Sequence, residues 1–515
     1  PKCPYVYRTA DKCVTLNDDP DLEPIVLKLP SPPPSYLIDG YGLHPDEQYF
    51  RRLEIPDKLL DIERAAKREM RDREAENKNF KATPERIIKT FWRIFDERRL
   101  HGYDDTVEWL KEVHWYRKNG YWFYNDGKPT YITGDHFDYL NFWNFPDESK
   151  DGGYPEYRDV DRRVYLARKY AKETTESVWA DSEGNIYVKD MGTRVCFGTA
   201  EPKSRRCGIT TQTLHAGLKD AMSAKGRTFV IISMDGDNAG IHYEKKLIPA
   251  FKTYPIWLTP LYRNHTSKTI VFVGSDALEE GYLGSVIGYS ESAGERKNDG
   301  DKIHFMLADE EGKRSGSASS IVERWMVNKQ AMALGSRIIG SSVHPTTVEE
   351  MDVGGKEYMT LCNQSRFFER DDSGQTKSGL FEIFVPAWQR FEGWIDRFGM
   401  SVVDDPTQRQ IELSPDAPFA KLNVGAKNYL QKKLDTLLES GIPEDQEAHR
   451  SLRRKFPMRY SDCWIGSSGD LGFDMEVIDT RLAELRRTKP PRTGRFHWTN
   501  GFGSEVKFID DPEGP

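Results

Sequence analysis

The chain is 515 residues long, 37% hydrophobic, 12% aromatic and 30% charged, with a formal net charge of -8 and a mean hydropathy of -0.70. Its length allows more than one domain at the usual ~100 to 200 residues each, and its negative balance excludes a uniformly basic nucleic-acid coat, leaving room only for a local basic stripe. Six cysteines are too sparse for a disulfide scaffold, no C-x-x-C pair marks a zinc site, and no apolar run nears the ~18 to 20 residues of a membrane span. The start, Pro1-Lys2-Cys3-Pro4, has no signal-peptide core, so the expected compartment is the cytoplasm.

Residues 1–50 are proline-rich, with Pro30 and Pro32 to Pro34, and read as an extended arm. Asp57 to Asn79, rich in Glu, Lys, Arg and Ala, reads as a helix, and Thr83-Pro84-Glu85 opens a second one carrying Ile87, Ile88, Phe91 and Ile94. The charges from Glu63 to Lys81 are mixed in sign, as on a solvated helix face. Tyr121 to Tyr124 and Thr130 to Thr133, joined through the turn Asn125-Asp126-Gly127-Lys128-Pro129, predict a β-hairpin, and Asp135 to Asn144 predicts an aromatic helix. Core packing accounts for most of that aromatic area.

From about Tyr154 strands alternate with helical segments, the pattern of an α/β sheet. The expected strands are Arg194 to Thr199, Thr228 to Met234, Thr269 to Val273, Ile303 to Ala308, Arg337 to Gly340 and Gly379 to Val385. Asp235 to Gly240 fails as a calcium loop, because Ala239 and Lys246 stand where oxygen ligands belong. Glycines 281, 284 and 288 are not in dinucleotide-binding register. Asn423 to Ser440 and Phe473 to Thr488 read as helices flanking a basic segment, Arg450 to Arg459. The divisions expected are an arm with a helical, aromatic N-terminal region over 1–150, an α/β core over 151–390, and a lid or linker over 391–515.

Chemistry concentrates in three places. Lys203-Ser204-Arg205-Arg206-Cys207-Gly208-Ile209-Thr210 lies between an expected strand and a helix continuing from Thr211. Against the phosphate-loop pattern G-x-x-x-x-G-K-[ST], Gly208 and Thr210 match, Lys203 replaces the first glycine and Ile209 replaces the lysine. A phosphate cradle needs backbone N–H groups at a helix N-terminus, a cation and a hydroxyl for magnesium, and Lys203 can bring the cation from the other end of the loop. Second, Ile303 to Ala308 delivers Asp309 and Glu310, an acidic pair of the Walker B kind, in which the Asp supports magnesium and the Glu polarises water. Third, Gly340-Ser341-Ser342 follows the strand expected at Arg337 and can lie under a terminal phosphate. Together they point to a P-loop NTPase core, a mostly parallel sheet flanked by helices.

The same residues resemble the large terminase subunits of tailed double-stranded DNA bacteriophages. Lys203 to Thr210 looks like that family's variant phosphate loop, Asp309-Glu310-Glu311-Gly312-Lys313 like its acidic strand end, and Gly340-Ser341-Ser342 like its coupling motif. Glu369 to Leu380, Phe384-Val385-Pro386-Ala387 and Gly393-Trp394-Ile395-Asp396 are similar to the next stretch of members from gut-type phages. The resemblance implies a motor ATPase using ATP and Mg²⁺ that docks on the portal protein as a ring, of five, and drives double-stranded DNA into the procapsid. It would work in the host cytoplasm and transiently on the portal vertex, with a small terminase subunit as partner. Lys203 would then bind phosphate, Arg206 would contact it, Thr210 and Asp309 would hold magnesium, and Glu310 would act on water. Ser204, Arg205, Cys207, Gly208, Ile209 and Thr211 would line the nucleotide, and Gly340, Ser341 and Ser342 would couple hydrolysis to the DNA grip. Arginines 205, 366 and 370 are candidates for a finger reaching a neighbouring subunit.

Two departures stand against that pattern: Ile209 at the lysine position, and Asp510 and Asp511 in a Gly/Pro-rich end without metal-site partners. The second predicts the motor portion with the family's nuclease missing. A helicase-like ATPase and a non-hydrolysing portal or DNA adaptor with a decayed nucleotide site remain alternatives. Lys and Arg at 450–459 and at 486–492 are either phosphate contacts or a solvated surface.

Overall fold

The computed structural model describes residues 13–17, 19–22, 24–99, 102–144, 153–181, 185–262, 265–272, 284–290, 302–314, 320–348, 351–439, 442–466, 481, 485, 494–500 and 504–510. The chain forms two compact units, Pro1–Ser467 and Ser468–Pro515.

The first unit begins with a small antiparallel pair, β1 (Cys13–Leu16) and β2 (Ile25–Lys28). Three helices follow, α1 (Asp57–Glu76), α2 (Pro84–Arg99) and α3 (Asp104–Asn119), then the hairpin β3 (Tyr121–Asn125) and β4 (Lys128–Ile132) and the aromatic helix α4 (Gly134–Phe142). Pro84 opens α2 as expected, since its missing N–H costs nothing in a first turn. The charged run on α1 pairs with itself and with α2: Lys67 with Glu63, Arg73 with Glu69, and Arg93 with Glu69. It is a solvated face.

Next come α5 (Asp159–Glu173), the hairpin β5 (Glu176–Ala180) and β6 (Ile186–Asp190), β7 (Gly198–Pro202), α6 (Ile209–Ser223) and β8 (Thr228–Ile232). Helices α7 (Gly236–Ile241) and α8 (Ile248–Thr253) are joined by a π-helical turn, His242–Leu247. Strands β9 (Thr269–Phe272), β10 (Ser285–Tyr289) and β11 (Phe305–Ala308) lead to α9 (Ile321–Ala331), the short pair β12 (Ala333–Leu334) and β13 (Arg337–Ile338), and β14 (Ser341–Thr346). Then come α10 (Lys356–Asn363), β15 (Leu380–Glu382) and the helices α11 (Gln408–Leu413), α12 (Pro418–Leu422), α13 (Ala426–Glu439) and α14 (Pro443–Lys455).

Seven strands make the central sheet in the order β15-β7-β14-β11-β8-β10-β9. All neighbours run parallel except β9, which pairs antiparallel with β10 at the edge. Helices cover both faces, so the strands are buried on both sides. Alternate residues of β11 show this: Phe305 and Leu307 join a core with Leu214 and Leu218 of α6, while Met306 and Ala308 join another with Trp325 of α9 and Tyr358 of α10. This is the α/β fold class expected, a mostly parallel sheet of the P-loop NTPase type.

The first of those cores also takes in Phe91, Phe137, Phe142 and Trp143, so the boundary expected near residue 150 falls inside a continuous apolar cluster. Polar ties reinforce it. Asp138 of α4 is fully buried among Arg117 of α3, Tyr254, and His215 of α6, whose Nε2 lies 2.8 Å away. Lys219 of α6 donates to the Arg117 carbonyl at 2.8 Å.

Two expected strands are corrected. Arg337 to Gly340 holds only the two-residue β13, and the strand that enters the sheet is Ser341–Thr346. Gly340 is a packing position: a Cβ there would stand 2.4 Å from the Ile303 carbonyl oxygen. Arg194–Thr199 is also shifted, to Gly198–Pro202. In the second unit β16 (Gly494–Trp498) and β17 (Val506–Asp510) form an antiparallel hairpin. The helix expected over Phe473 to Thr488 lies outside the described residues except for Arg481 and Leu485, and 486–492 and Asp511 lie outside them altogether.

Candidate functional site

Strands β7, β11 and β14 end at one edge of the sheet, where open parallel sheets bind their ligands. From the end of β7 the chain turns through Lys203–Gly208 into α6, with Arg206 at φ 57° and Gly208 at φ 75°. Gly208 is the helix N-cap and supplies no side-chain acceptor, so the first-turn N–H groups of α6 have no side-chain cap. Such donors, with the helix dipole behind them, favour an anion.

The Lys203 ammonium is buried, 8% exposed, at the centre of the cluster. Its Nζ lies 3.1 Å from Asp309 Oδ1, 2.9 Å from Glu310 Oε1 and 3.2 Å from Thr210 Oγ1. The Thr210 hydroxyl donates to Asp309 Oδ1 at 3.0 Å. Asp309 Oδ2 meets His242 Nε2 at 2.8 Å, from the π-helical turn after β8. Glu310 stands in the left-handed region at φ 55°, a conformation that costs ~1 to 3 kcal/mol and gathers at functional sites. Its Oε2 accepts from the Thr347 N–H at 3.1 Å and pairs with Lys313 at 3.1 Å. These contacts aim the second carboxylate into the cleft.

Electrostatics follow from this closeness. Burial alone would weaken the Lys203 ammonium, but Asp309 and Glu310 outweigh it and hold its proton above the usual lysine range. Burial likewise would raise Asp309, and Lys203 with the His242 hydrogen bond brings it well below the usual carboxylate range. Each charge is the condition for the other being ionised.

The cavity in front of the cluster has a volume of about 910 Å³. Among the described residues, Gln212 Oε1, Ser233 Oγ and His242 Nδ1 in its lining are buried with neither a hydrogen bond nor an ion pair. Buried polar atoms left unpaired are costly, and a polar ligand relieves that cost. Three ties fix the loop: the Lys203 N–H donates to the Thr346 carbonyl at 2.9 Å, the Arg205 N–H to the Lys455 carbonyl at 2.9 Å, and Arg390 to the Cys207 carbonyl at 3.0 Å. Through Arg390 and Lys455 the segment after β15 holds the loop directly.

Of the residues singled out from the sequence, Lys203, Thr210, Asp309 and Glu310 meet within hydrogen-bond distance. Arg205, Arg206, Cys207, Gly208, Ile209 and Thr211 line the same cavity, and Ser204 is buried beside it. Ile209 is 4% exposed. Gly340, Ser341 and Ser342 are elsewhere, which corrects their expected place. Ser342 pairs with Gly198 at the start of β7, while Thr346 pairs with Pro202 at its end, so the serines stand about 13 Å back along the strand at ~3.3 Å per residue. The residues at the Thr346 end of β14 that reach the acidic pair are Pro345, whose carbonyl accepts from the Glu310 N–H at 2.9 Å, and Thr347, whose N–H donates to Glu310 Oε2 at 3.1 Å.

The arginine candidates also sort. Arg366 pairs with Glu382 at 3.3 Å, and Arg370 lies over the Phe367 and Phe381 rings, both against β15. Neither faces the cavity; Arg205 and Arg206 do. In the basic segment Arg453 pairs with Asp462 at 2.7 Å and Arg454 with Glu447 at 3.2 Å, so two of its charges are neutralised internally. Sequence reading missed His242, Lys246, Thr347 and Arg390. The only signal for the first two was their place shortly after a strand that ends at the ligand edge.

No family model matches the chain, and no curated protein matches it. Among solved structures it is similar to the large terminase ATPase domain of Thermus phage P74-26, at 10% identity over 51% of this chain and 88% of that one, with a TM-score of 0.31. It is also similar to the large terminase of a thermophilic bacteriophage in complex with ADP, at 9% identity over 37% of this chain and 40% of that one, with a TM-score of 0.24. Superpositions this loose add nothing to what the sheet and the cluster show by themselves.

Proposed function

We propose that this chain is an ATPase, the motor of a viral DNA-packaging machine of the large-terminase kind that its motifs resemble. The observation that carries the reading is the meeting of Lys203, Thr210, Asp309 and Glu310 beside an uncapped helix N-terminus. A cavity of about 910 Å³ is the size of a nucleotide site, and Gln212 Oε1, Ser233 Oγ and His242 Nδ1 in its wall, without partners among the described residues, ask for a polar occupant.

The donors present also fit magnesium. One carboxylate and one hydroxyl 3.0 Å apart are hard oxygen ligands, and Mg²⁺ is held by one or two protein oxygens together with substrate phosphates and water. Among the described residues no cluster of three His, Cys, Asp or Glu forms a metal cage. Asp309 and Thr210 would hold the ion, which would neutralise charge developing on the phosphates.

The chain's own groups divide the remaining work. Nucleotide phosphates compete with Asp309 and Glu310 for Lys203, whose ammonium turns from the acidic pair to the anion. Glu310 is then left with Lys313 and Thr347, which keep its carboxylate oriented to take a proton from water. Because Thr347 follows β14, loss of the outer phosphate is felt first at that strand end, and Arg390 and Lys455 pass loop movement to the C-terminal segment. Double-stranded DNA, the portal protein, a small terminase subunit and a ring of five subunits belong to the same proposal, with Arg205 or Arg206 the arginines placed to act.

The test is phosphate release by the full chain with ATP and Mg²⁺, slow in isolation because an arginine in trans adds ~10³ to 10⁵ in rate. Release that disappears in Lys203→Ala and Glu310→Ala supports the proposal. No release even with portal and duplex DNA would leave a non-hydrolysing adaptor, and strand separation rather than duplex movement would leave a helicase.

A further inference from the structure

A phosphate site needs cations beyond those its own carboxylates consume. Here the customary lysine position is Ile209, and Lys203 is bound to both Asp309 and Glu310. Lys313 is paired with Glu310 as well. The acidic pair therefore holds two of the lysines in the cavity wall.

A third lysine comes from the π-helical turn His242–Leu247. Single π turns inside helices recur at functional sites, because the extra residue re-aims the face beyond it. Tyr243 and Leu247 are fully buried and anchor the turn in the core. His242 fixes where the other face points, since its Nε2 is 2.8 Å from Asp309 Oδ2. Lys246 follows one turn later on that face and lines the cavity with Lys203, Asp309 and Glu310. It is half-buried, and among the described residues it has no ion pair. Burial lowers the proton affinity of its ammonium, and nearby Asp309 and Glu310 only partly restore it. A half-buried lysine without a partner is an unfavourable placement, which an incoming polyanion would correct.

We infer that Lys246 contacts the terminal phosphate of a bound nucleoside triphosphate, a second phosphate-binding cation in the place that Ile209 leaves open. The inference rests on the reading of this cavity as a nucleotide site. Lys203 and Lys246 would approach the anion from opposite sides, one from the loop after β7 and the other from the turn after β8. Lys246 thereby distinguishes triphosphate from diphosphate without an arginine from another subunit.

The experiment titrates the full chain, with Mg²⁺, against ADP and a non-hydrolysable ATP analogue. In Lys246→Gln the analogue should bind roughly 10- to 100-fold more weakly, the worth of one charge-assisted contact, while ADP affinity changes less than about threefold. Lys246→Arg should retain most of the preference. Equal binding of the analogue by wild type and Lys246→Gln overturns the inference and leaves the nucleotide site standing. Wild type that binds neither nucleotide overturns both. A second measurement needs no variant: acetylation of Lys246 by an amine-reactive reagent, read by mass spectrometry, should be slowed by the analogue and not by ADP. Equal labelling in both states overturns the inference.

Discussion

Glu310 and Glu311 are neighbours in the chain with opposite surroundings. Glu310 lines the cavity, in a left-handed conformation, shared among Lys203, Lys313 and Thr347. Glu311 points into the sheet, 2% exposed, with Oε1 on Arg324 of α9 and Oε2 2.7 Å from His344 Nδ1. His344 Nε2 lies 3.1 Å from Ser342 Oγ. Burial would raise the Glu311 carboxyl, and Arg324 and His344 bring it down to about 2. The two regions show how similar chemistry separates: a carboxylate with partners on one side and open space on the other can meet a ligand, whereas one closed in on all sides can only hold structure.

Substitution should separate the two most sharply in the reaction itself. Glu310→Gln is expected to lower ATP hydrolysis by about 10² to 10⁴-fold, with nucleotide affinity and the melting midpoint little changed. A variant that hydrolyses normally would break the contrast. Glu311→Ala should do the reverse, leaving Arg324 buried without its carboxylate and costing about 3 to 5 kcal/mol in a denaturant titration. The fraction that remains folded should keep hydrolysis within about tenfold.

A third carboxylate, Glu382 of β15, extends the comparison to pH. Burial raises it from 4.5 to about 7, against Arg366 and the Tyr460 hydroxyl. The folded chain thus holds this proton more tightly than the unfolded chain, so its contribution is complete below 4.5 and is lost as pH rises through about 7. Unfolding followed across that window should show Glu382→Gln removing about 3 kcal/mol of the pH-dependent change in stability. An unchanged slope would assign the titration elsewhere. The smallest effect belongs to Ser342→Ala, about 2 kcal/mol from the two hydrogen bonds its hydroxyl makes with the Phe197 carbonyl and His344, with hydrolysis unaltered. A large loss of hydrolysis there would return the coupling role to Gly340-Ser341-Ser342.

Local structure was legible where a local pattern exists. The mixed charges of α1, the Pro84 start of α2, the β3–β4 turn and the apolar run of β11 each announce themselves within a few residues. Strand β14 does not, because Ser341-Ser342-Val343-His344-Pro345-Thr346 has no strand composition and is buried through long-range partners. Strand β7 was shifted for a similar reason. Its buried Glu201 is tolerated because Arg168 of α5 grips both oxygens at 2.8 Å and the Thr199 hydroxyl donates to one of them at 2.6 Å.

The sequence by itself determined that an acidic pair follows a buried strand, that a glycine and a threonine open α6, and that a lysine stands ahead of them. Only the tertiary structure decided that this lysine turns to the acidic pair, that the serines before Val343 stand at the far end of their strand, and that His242 and Lys246 face the same cavity. The physical reason is that periodicity and turn chemistry act over a few residues. Which strand ends share an edge depends on the order of strands in the sheet, and that order is settled by packing between segments far apart in the chain.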